Sequence, residues 1–242
     1  MAPKNVIPED VGRLGERTWT ELDDPAPRTL LVPVGSLEQH GPHLPLDTDT
    51  RLAAAVARRA AAGDPAMLLA PPVAYGASGE HEGFAGTMSI GHVALRLLLV
   101  ELGRSARLWA SRLVFVNGHG GNLPTVPDAV ALLRFEGSDA AWFGCTVPDG
   151  DAHAGRTETS VLLALAPDLV RSASAVVGNV APLQTLFPAL VRGGVAAVSP
   201  NGVLGDPAGA SAAEGERLLA GMVDTLRTRM VRWAPDARGR LA

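Results

Sequence analysis

The sequence feature that most constrains the fold is an apolar run at residues 29–35 that leads directly into a loop of charged side chains. An apolar run without polar alternation is typical of a strand that is covered on both faces, as in a parallel sheet. The loop carries Glu38 and His40, and Asp49 follows it, while a glycine and two prolines prevent regular structure between them. We therefore expect a buried strand that ends in a rigid loop of oxygen and nitrogen donors.

Apolar strand candidates alternate with helical segments along the rest of the chain. Strands are predicted at residues 29–35, 67–73, 113–117, 140–147 and, with a weaker pattern, 174–180. Helices are predicted at residues 10–22, 50–62, 92–110, 125–135, 157–165 and 208–229, and the Pro- and Gly-rich segment 181–206 is predicted to be irregular. This order predicts one α/β domain over residues 1–242, a three-layer α/β/α sandwich with a mostly parallel sheet.

Three of the predicted strands run into loops that contain a histidine. The strands that end near residues 35, 117 and 147 lead to His40, His119 and His153. Ligands of open α/β sheets bind at the carboxyl ends of the strands. The three loops are therefore expected to converge on one cleft, although they are far apart in sequence.

The loop after the first strand has the donors of a metal site. Glu38 and His40 are two positions apart, so their side chains point the same way in extended backbone. Mixed imidazole and carboxylate donors suit divalent metals such as Zn²⁺, Fe²⁺ or Mn²⁺. Asp49 taken alone is equally a helix N-cap, and His40 is equally a loop histidine bonded to backbone. The combination of three donors in one constrained loop favours the metal site.

His119 lies in a glycine-rich turn, Asn-Gly-His-Gly-Gly-Asn, that ends at Asn122. Such a turn can also cradle a phosphate, which would make the chain a non-catalytic nucleotide-binding module. The Lys and Ser/Thr of a P-loop do not follow the turn, and the Gly-x-Gly-x-x-Gly spacing is absent. We therefore favour the metal site here as well.

Two further groups of side chains could take part in chemistry. His153 can act as a general acid or base because its ordinary pKa lies near neutrality. Glu158, in the first turn of the following helix, is a possible site carboxylate or an ordinary acid favoured by the helix dipole. Glu80 and His81 belong to a long Gly-rich loop, residues 75–87, and either line a pocket or face solvent.

Composition excludes several classes of protein. The chain is 47% hydrophobic and 19% charged, which argues against disorder. Its net charge is -4 without a dense basic cluster, so neither a nucleic acid nor a membrane is an expected partner. The one cysteine, Cys145, cannot form an intrachain disulfide and is expected to be a core residue, as His43 and His92 are expected to be structural. With no apolar signal core at the N-terminus, the cytoplasm is the predicted compartment.

Four ordered motifs make the sequence resemble the creatininase (creatinine amidohydrolase) family. They are VPVGSLEQHGPHLPLDTD, YGASGEHEGFAGT, NGHGGN and HAGRTETS, within residues 29–206. The motifs GASGEHEGF and HAGRTETS, with SPNGVLGD at residues 199–206, are most similar to the mycofactocin-system branch. The family resemblance implies a three-layer sandwich, a metal-dependent amide hydrolase and a homo-oligomer, a hexamer or an octamer.

Residue roles follow from the resemblance position by position. It implies one or two divalent ions, Fe²⁺ or Zn²⁺, held by side chains that match the family's ligands, with Asp49 able to bridge. The implied ligands are Glu38, His40, Asp49 and His119. Creatininases proper carry a glutamate where this chain has Gly121, and Glu158 is our candidate for the missing carboxylate. His153 and Glu158 are the predicted catalytic residues, and Glu80, His81, Asn122 and Arg156 the predicted substrate-binding residues.

The branch implies a peptidase that removes a modified C-terminal Val-Tyr dipeptide from a ribosomally made precursor peptide. The tryptophans that creatininases carry near the His153 loop are absent, because residues 149–152 contain none. This departure favours an open cleft for a peptide end over a closed pocket for a small ring. A creatininase-type amidohydrolase acting on a cyclic amide or a formamide is the alternative.

Overall fold

The computed structural model describes residues 12–242. Its strands are β1 (Gly12–Arg13), β2 (Thr29–Val34), β3 (Met67–Leu69), β4 (Arg112–Asn117) and β5 (Ala140–Gly144). They form one sheet in the order β1-β3-β2-β4-β5, and every neighbouring pair is parallel. The central strand β2 pairs with β4 along its whole length, from Thr29 opposite Arg112 to Val34 opposite Asn117.

Helices cover both faces of this sheet. They are α1 (Thr48–Ala61), α2 (Gly91–Ala106), α3 (Val126–Phe135), α4 (Arg156–Leu165), α5 (Leu183–Gly193) and α6 (Ala212–Arg232). Successive side chains of β2 point to opposite faces, and both sides are buried: Leu31 packs with α1, α4 and α6, whereas Leu30 and Val32 pack with α2 and α3. The predicted three-layer α/β/α sandwich is confirmed, and so is the reason for the unbroken apolar run. Among residues 12–242, no helix combines the length and the apolar character needed to cross a bilayer.

Two segments after residue 170 differ from the prediction. The expected strand 174–180 is wrong: residues 172–174 form a short 3₁₀ turn, and Gly178 and Asn179 donate single backbone hydrogen bonds to residues 205 and 203 without joining the sheet. The segment 181–206, predicted to be irregular, contains α5. This helix includes Pro188, whose missing N–H and ring disfavour a helix interior, and this is why the sequence pattern did not indicate it.

The expected N-terminal helix is also wrong over the described residues 12–22, and residues 10 and 11 lie outside them. Two 3₁₀ turns, Leu14–Glu16 and Trp19–Glu21, follow β1. The second is held by a capping box in which Glu21 accepts from the backbone N–H of Thr18 at 2.7 Å. Local side-chain bonds therefore stabilise a single turn here instead of a continued helix.

Other elements were predicted with displaced ends. The strand expected at 67–73 stops at Leu69, because Pro71 and Pro72 cannot donate to a sheet ladder. The last helix begins at Ala212 and not at 208, since Ser211 caps it by accepting from the backbone N–H of Glu214 at 3.3 Å.

The packing of α6 on α4 gives a test of the fold. A Cβ at Gly215 of α6 would overlap the backbone carbonyl oxygen of Ser160 in α4 and lie 2.9 Å from the backbone nitrogen of Val161. Because backbone cannot rotate away, Gly215→Ala is expected to lower the free energy of unfolding by about 2–3 kcal/mol, measured by urea denaturation.

The matched control for this variant lies in the same helix. A Cβ at Gly221 meets no atom within 4 Å, so Gly221→Ala should leave stability unchanged or raise it by up to about 1 kcal/mol through helix propensity. Equal effects of the two substitutions would contradict the close contact between α4 and α6.

Candidate metal centre

The carboxyl edge of the sheet gathers titratable side chains from four loops. The loop after β2 supplies Glu38 and His40, the loop after β3 supplies Glu80 and His81, the loop after β4 supplies His119, and the loop after β5 supplies His153, with Asp49 and Glu158 from the first turns of α1 and α4. The ring centroids of His40 and His153 are 4.3 Å apart, and those of His81 and His153 are 4.5 Å apart. The structure thus brings these side chains together, although their positions span more than a hundred residues of sequence.

Asp49 lies between two imidazoles. Its Oδ1 is 3.1 Å from His40 Nε2, and its Oδ2 is 3.1 Å from His119 Nδ1. Ser36 at the end of β2 donates its hydroxyl to Oδ2 at 2.7 Å. The N-cap position of α1 is occupied by Asp47, so Asp49 does not serve as the helix cap and its carboxylate faces the cluster.

Glu38 is fully buried beside three imidazoles of the cluster. Its Oε2 lies 3.1 Å from His119 Nε2, and its Oε1 lies 3.4 Å from His81 Nε2 and 4.0 Å from His153 Nδ1. None of these contacts has hydrogen-bond geometry, so both carboxylate oxygens are buried without a hydrogen-bond partner. A buried carboxylate without a hydrogen bond is costly unless a cation neutralises it.

His40 has the proton arrangement of a metal ligand. Its Nδ1 lies 3.1 Å from the backbone carbonyl oxygen of Glu38, which can only accept, so the ring proton lies on this nitrogen. The Nε2 of His40 then points towards Asp49 Oδ1 and, at 3.9 Å, towards Glu158 Oε2. A backbone carbonyl that holds one nitrogen of a histidine while the other faces the ion is typical of metal sites.

Glu158 approaches the cluster from the amino end of α4. Its Oε2 accepts from the backbone N–H of Ala154 at 2.6 Å, and its side chain remains 19% exposed. This position beside His40 is compatible with the carboxylate role that the sequence suggested. Solvent or a substrate can therefore reach Glu158, unlike the buried Glu38 and Asp49.

Burial and charge divide the titratable groups into two kinds. Burial opposes charge on His40, but the Asp49 carboxylate raises the pKa of His40 to about 10. Burial likewise opposes charge on His119, yet Glu38 and Asp49 raise the pKa of His119 well above its usual range. Burial opposes charge on Asp49 as well, but His40 and His119 hold the pKa of Asp49 well below its usual range. Burial lowers the pKa of His81 to about 4 and, with His40 and His81 close by, depresses the pKa of His153 strongly. Without a metal ion, protonated His40 and His119 therefore provide the positive charge that the carboxylates require.

This donor set fits a divalent cation. Groups of three donors that can reach one ion include Glu38, His40 and Asp49, and also His40, His153 and Glu158. A cation bound in this cluster would give the two unpartnered oxygens of Glu38 a partner and would displace the protons on His40 and His119.

The space beside Gly121 is occupied by another acid. A Cβ at this position would overlap Glu80 Oε1 and His119 Nε2 and would lie 2.6 Å from the carbonyl oxygen of Ala77. Glu80 Oε1 is 3.7 Å from His119 Nε2, and its side chain is 32% exposed. Burial raises the pKa of Glu80. The absent side chain at Gly121 thus leaves room for Glu80, a second candidate besides Glu158 for the carboxylate that creatininases carry at position 121.

Two of the predicted substrate-binding residues have other partners. Asn122 is fully buried: its Oδ1 accepts from the backbone N–H of Ala77 at 2.9 Å, and its Nδ2 donates to the carbonyl oxygen of Gly35 at 3.0 Å and to Asn117 Oδ1 at 3.1 Å. Arg156 is exposed and donates to Glu214 at 2.8 Å. Asn122 therefore joins three loops of the site, and Arg156 is attached to α6.

The sequence pattern did not indicate two residues that contact the cluster. The Ser36 hydroxyl donates a hydrogen bond to Asp49, and the Gln39 amide nitrogen contacts both His81 and His153. The only signal for Gln39 was its position between two predicted ligands. His43, predicted to be structural, is buried and bonded to the hydroxyl of Thr159 at 2.8 Å.

Comparison with known proteins agrees with this geometry. The family profile described as creatinine amidohydrolase matches residues 15–230. The chain belongs to the creatininase family. A creatininase-family relative from Mycolicibacterium smegmatis, named mycofactocin precursor peptide peptidase, is 61% identical over 233 residues, which cover 94% of each chain. The creatinine amidohydrolase of Pseudomonas putida is 33% identical over 65% of this chain and 73% of its own.

Solved structures of the creatininase family share the fold. A creatininase mutant complexed with creatine is 29% identical and superposes with a TM-score of 0.76, covering 93% of this chain and 99% of its own. Two others, each 28% identical with a TM-score of 0.75, are described as a Zn-Zn type mutant and as creatininase Mn. The names of these relatives denote hydrolysis of amide-type bonds, so the chain is a hydrolase and not a non-catalytic module.

Proposed function

We propose that this chain is a metal-dependent peptidase that removes a modified C-terminal Val-Tyr dipeptide from a mycofactocin precursor peptide. One observation carries the proposal: the near full-length 61% identity to a relative of that name. The absence of tryptophan from residues 149–152 supports an open cleft in place of a pocket for a small ring.

We propose that the ions are held by Glu38, His40, Asp49 and His119, together with Glu158. The two oxygens of Asp49 face different imidazoles, which supports a bridging role and two ions. A bound divalent ion polarises the scissile carbonyl and makes water a better nucleophile. Fe²⁺ or Zn²⁺ is the proposed ion, because imidazole and carboxylate donors suit such metals.

The remaining side chains of the cluster then handle protons and the substrate. His153 Nδ1 lies 4.0 Å from Glu38 Oε1 inside the cluster, and we propose that it takes a proton from the attacking water and passes it to the leaving amine. Glu158 lies beside His40 and is the second proposed catalytic group. The partly exposed Glu80 and the buried His81 are proposed to contact the peptide, with Asn122 fixing the loops of the site. Arg156 remains our candidate for binding the peptide's carboxylate, which would require it to exchange Glu214 for the substrate.

The test is a direct comparison of substrates. Metal-loaded protein is incubated separately with modified precursor peptide, creatinine and a formamide, and the products are weighed by mass spectrometry. We expect the precursor peptide to lose the mass of the dipeptide, and creatinine and the formamide to stay intact. The His119→Ala variant should not cleave the peptide. Hydrolysis of creatinine with the peptide left intact would favour the alternative, a creatininase-type amidohydrolase, which the match to the Pseudomonas putida enzyme supports.

We also propose that the chain forms a homo-oligomer, a hexamer or octamer, in the cytoplasm as one domain. Helix α5 supports self-association because Leu183, Phe187 and Val191, on one side of it, are 45%, 60% and 70% exposed. Phe187→Glu is expected to lower the molar mass measured by light scattering after size exclusion. Thr185→Glu, at an exposed position of the same helix, should leave it unchanged. An unaltered mass for Phe187→Glu would exclude this face.

A further inference from the structure

The side-chain amide of Gln39 has a fixed orientation inside the site. Its Oε1 lies 2.8 Å from the backbone N–H of Gly41, which only donates, and its Nε2 lies 3.0 Å from the carbonyl oxygen of Gly202, which only accepts. Exchanging the two ends of the amide would break both bonds. Gln39 is buried, so water cannot replace them.

The proton of His153 is placed by a backbone carbonyl. His153 Nε2 lies 2.8 Å from the carbonyl oxygen of Gln39, which can only accept, so the neutral ring carries its proton on Nε2. Its Nδ1 therefore has a free lone pair and lies 4.0 Å from Glu38 Oε1. The Gln39 amide nitrogen is also 3.1 Å from His153 Nε2, but a nitrogen that already carries a proton cannot accept another.

The proton of His81 follows by elimination. The Gln39 amide has two hydrogens, and one goes to Gly202. The other is directed at His81 Nδ1, 2.9 Å away, because His153 cannot accept it. His81 Nδ1 thus carries no proton, and the neutral ring has its proton on Nε2, which lies 3.4 Å from Glu38 Oε1. In this tautomer Nε2 has no lone pair, so His81 is not a metal ligand, although Glu38, His81 and His153 are close enough together to surround an ion.

We propose that Gln39 is a positioning residue that gives the two imidazoles opposite roles in the cleft, with His81 presenting an N–H donor and His153 presenting a lone pair. In the proposed peptidase reaction, on which this role rests, His81 Nε2–H donates to the carbonyl oxygen of the scissile amide as negative charge develops there. His81 keeps its proton throughout. The proton that His153 Nδ1 accepts from water is the one that the leaving amine receives.

The first measurement needs no substrate. Long-range ¹H–¹⁵N spectra of histidine-labelled, zinc-loaded protein report which ring nitrogen carries the proton, and comparison with His81→Asn assigns the His81 signals. We expect the Nε2–H tautomer for His81 and for His153. An Nδ1–H tautomer of His81 in the unaltered protein would overturn the proposal, whatever the substrate proves to be.

The second measurement uses Gln39→Glu. A carboxylate keeps the bond from Gly41 but has no hydrogen for His81 Nδ1, so it draws the ring proton to that nitrogen. We expect His81 to change to the Nδ1–H tautomer and kcat for peptide cleavage to fall roughly 10²–10³-fold, as when one donor to a developing oxyanion is removed. KM should stay within about threefold, because the donor acts mainly in the transition state.

Gln184→Glu is the matched control, since it makes the same change at an exposed position of α5. It should retain both the histidine spectra and the kcat of the unaltered protein.

If Gln39→Glu left the His81 tautomer unchanged, Gln39 would not be the residue that positions the His81 proton. If that variant failed to fold, the spectra of the unaltered protein would still decide the tautomers. If the tautomers were as expected but the peptide stayed intact, the proposed function would be wrong, whereas the hydrogen-bond arrangement around Gln39 would stand.

Discussion

Glu38→Gln is expected to reduce hydrolysis strongly and to abolish the thermal stabilisation that metal ions give. In the unaltered protein, zinc at about one hundred times its Kd should add roughly 2.7 kcal/mol of stability and raise Tm by about 5–10 °C. The glutamine has no negative charge for the cation, so this shift should disappear. Loss of the metal removes several kcal/mol of transition-state stabilisation, which corresponds to roughly a 10³-fold decrease in kcat/KM.

Glu82→Gln is the control for this experiment, because Glu82 is an exposed acid of the neighbouring loop. It should bind metal and cleave substrate as the unaltered protein does. The measurements are elemental analysis of the dialysed protein and a thermal melt with and without zinc. A Glu38→Gln protein that retained full metal content would show that the buried carboxylate is not a ligand.

The second large effect is expected from Gly121→Ala, although only one methyl group is added. The new Cβ would overlap Glu80 Oε1 and His119 Nε2, and the carbonyl oxygen of Ala77 blocks a third direction at 2.6 Å. His119 must then turn away from Glu38 and Asp49. We expect the affinity for metal to fall by roughly 10–100-fold, as when residues that orient metal ligands are changed, with a parallel fall in kcat/KM.

Gly120→Ala provides a neighbouring comparison. A Cβ at Gly120 meets no atom within 4 Å, so this variant should bind metal normally. Calorimetric titration of metal-free protein measures both affinities, and circular dichroism checks that both variants fold. If Gly121→Ala bound metal as tightly as Gly120→Ala, the close packing of His119 and Glu80 against Gly121 would be contradicted.

The sequence was sufficient for those parts of the site that lie close together along the chain. Glu38 and His40 follow a buried strand within one constrained loop, and Asp49 begins the next helix, so their proximity required only local geometry. The three-layer architecture could also be predicted from the sequence, because the apolar runs of β2, β4 and β5 are buried on both faces and alternate with helices. The family motifs added residue roles that local geometry could not supply.

Helix α5 and the region before it could not be predicted in the same way. Pro188 lies inside α5, and residues 174–180 have the apolar pattern of a strand but form no pairing with the sheet. In both cases the surrounding structure outweighed the local preference of the sequence.

The sequence by itself therefore determined strands β2 to β5, the edge of the sheet at which the site lies and four candidate metal ligands. Only the tertiary structure decided the positions and contacts of the remaining side chains of the site. Glu80 occupies the space that Gly121 leaves open, and Gln39 contacts His81 and His153, which are 42 and 114 positions away in sequence. The physical reason is that steric fit and the placement of protons depend on atoms from distant segments, and no local pattern of residues records which of these atoms meet.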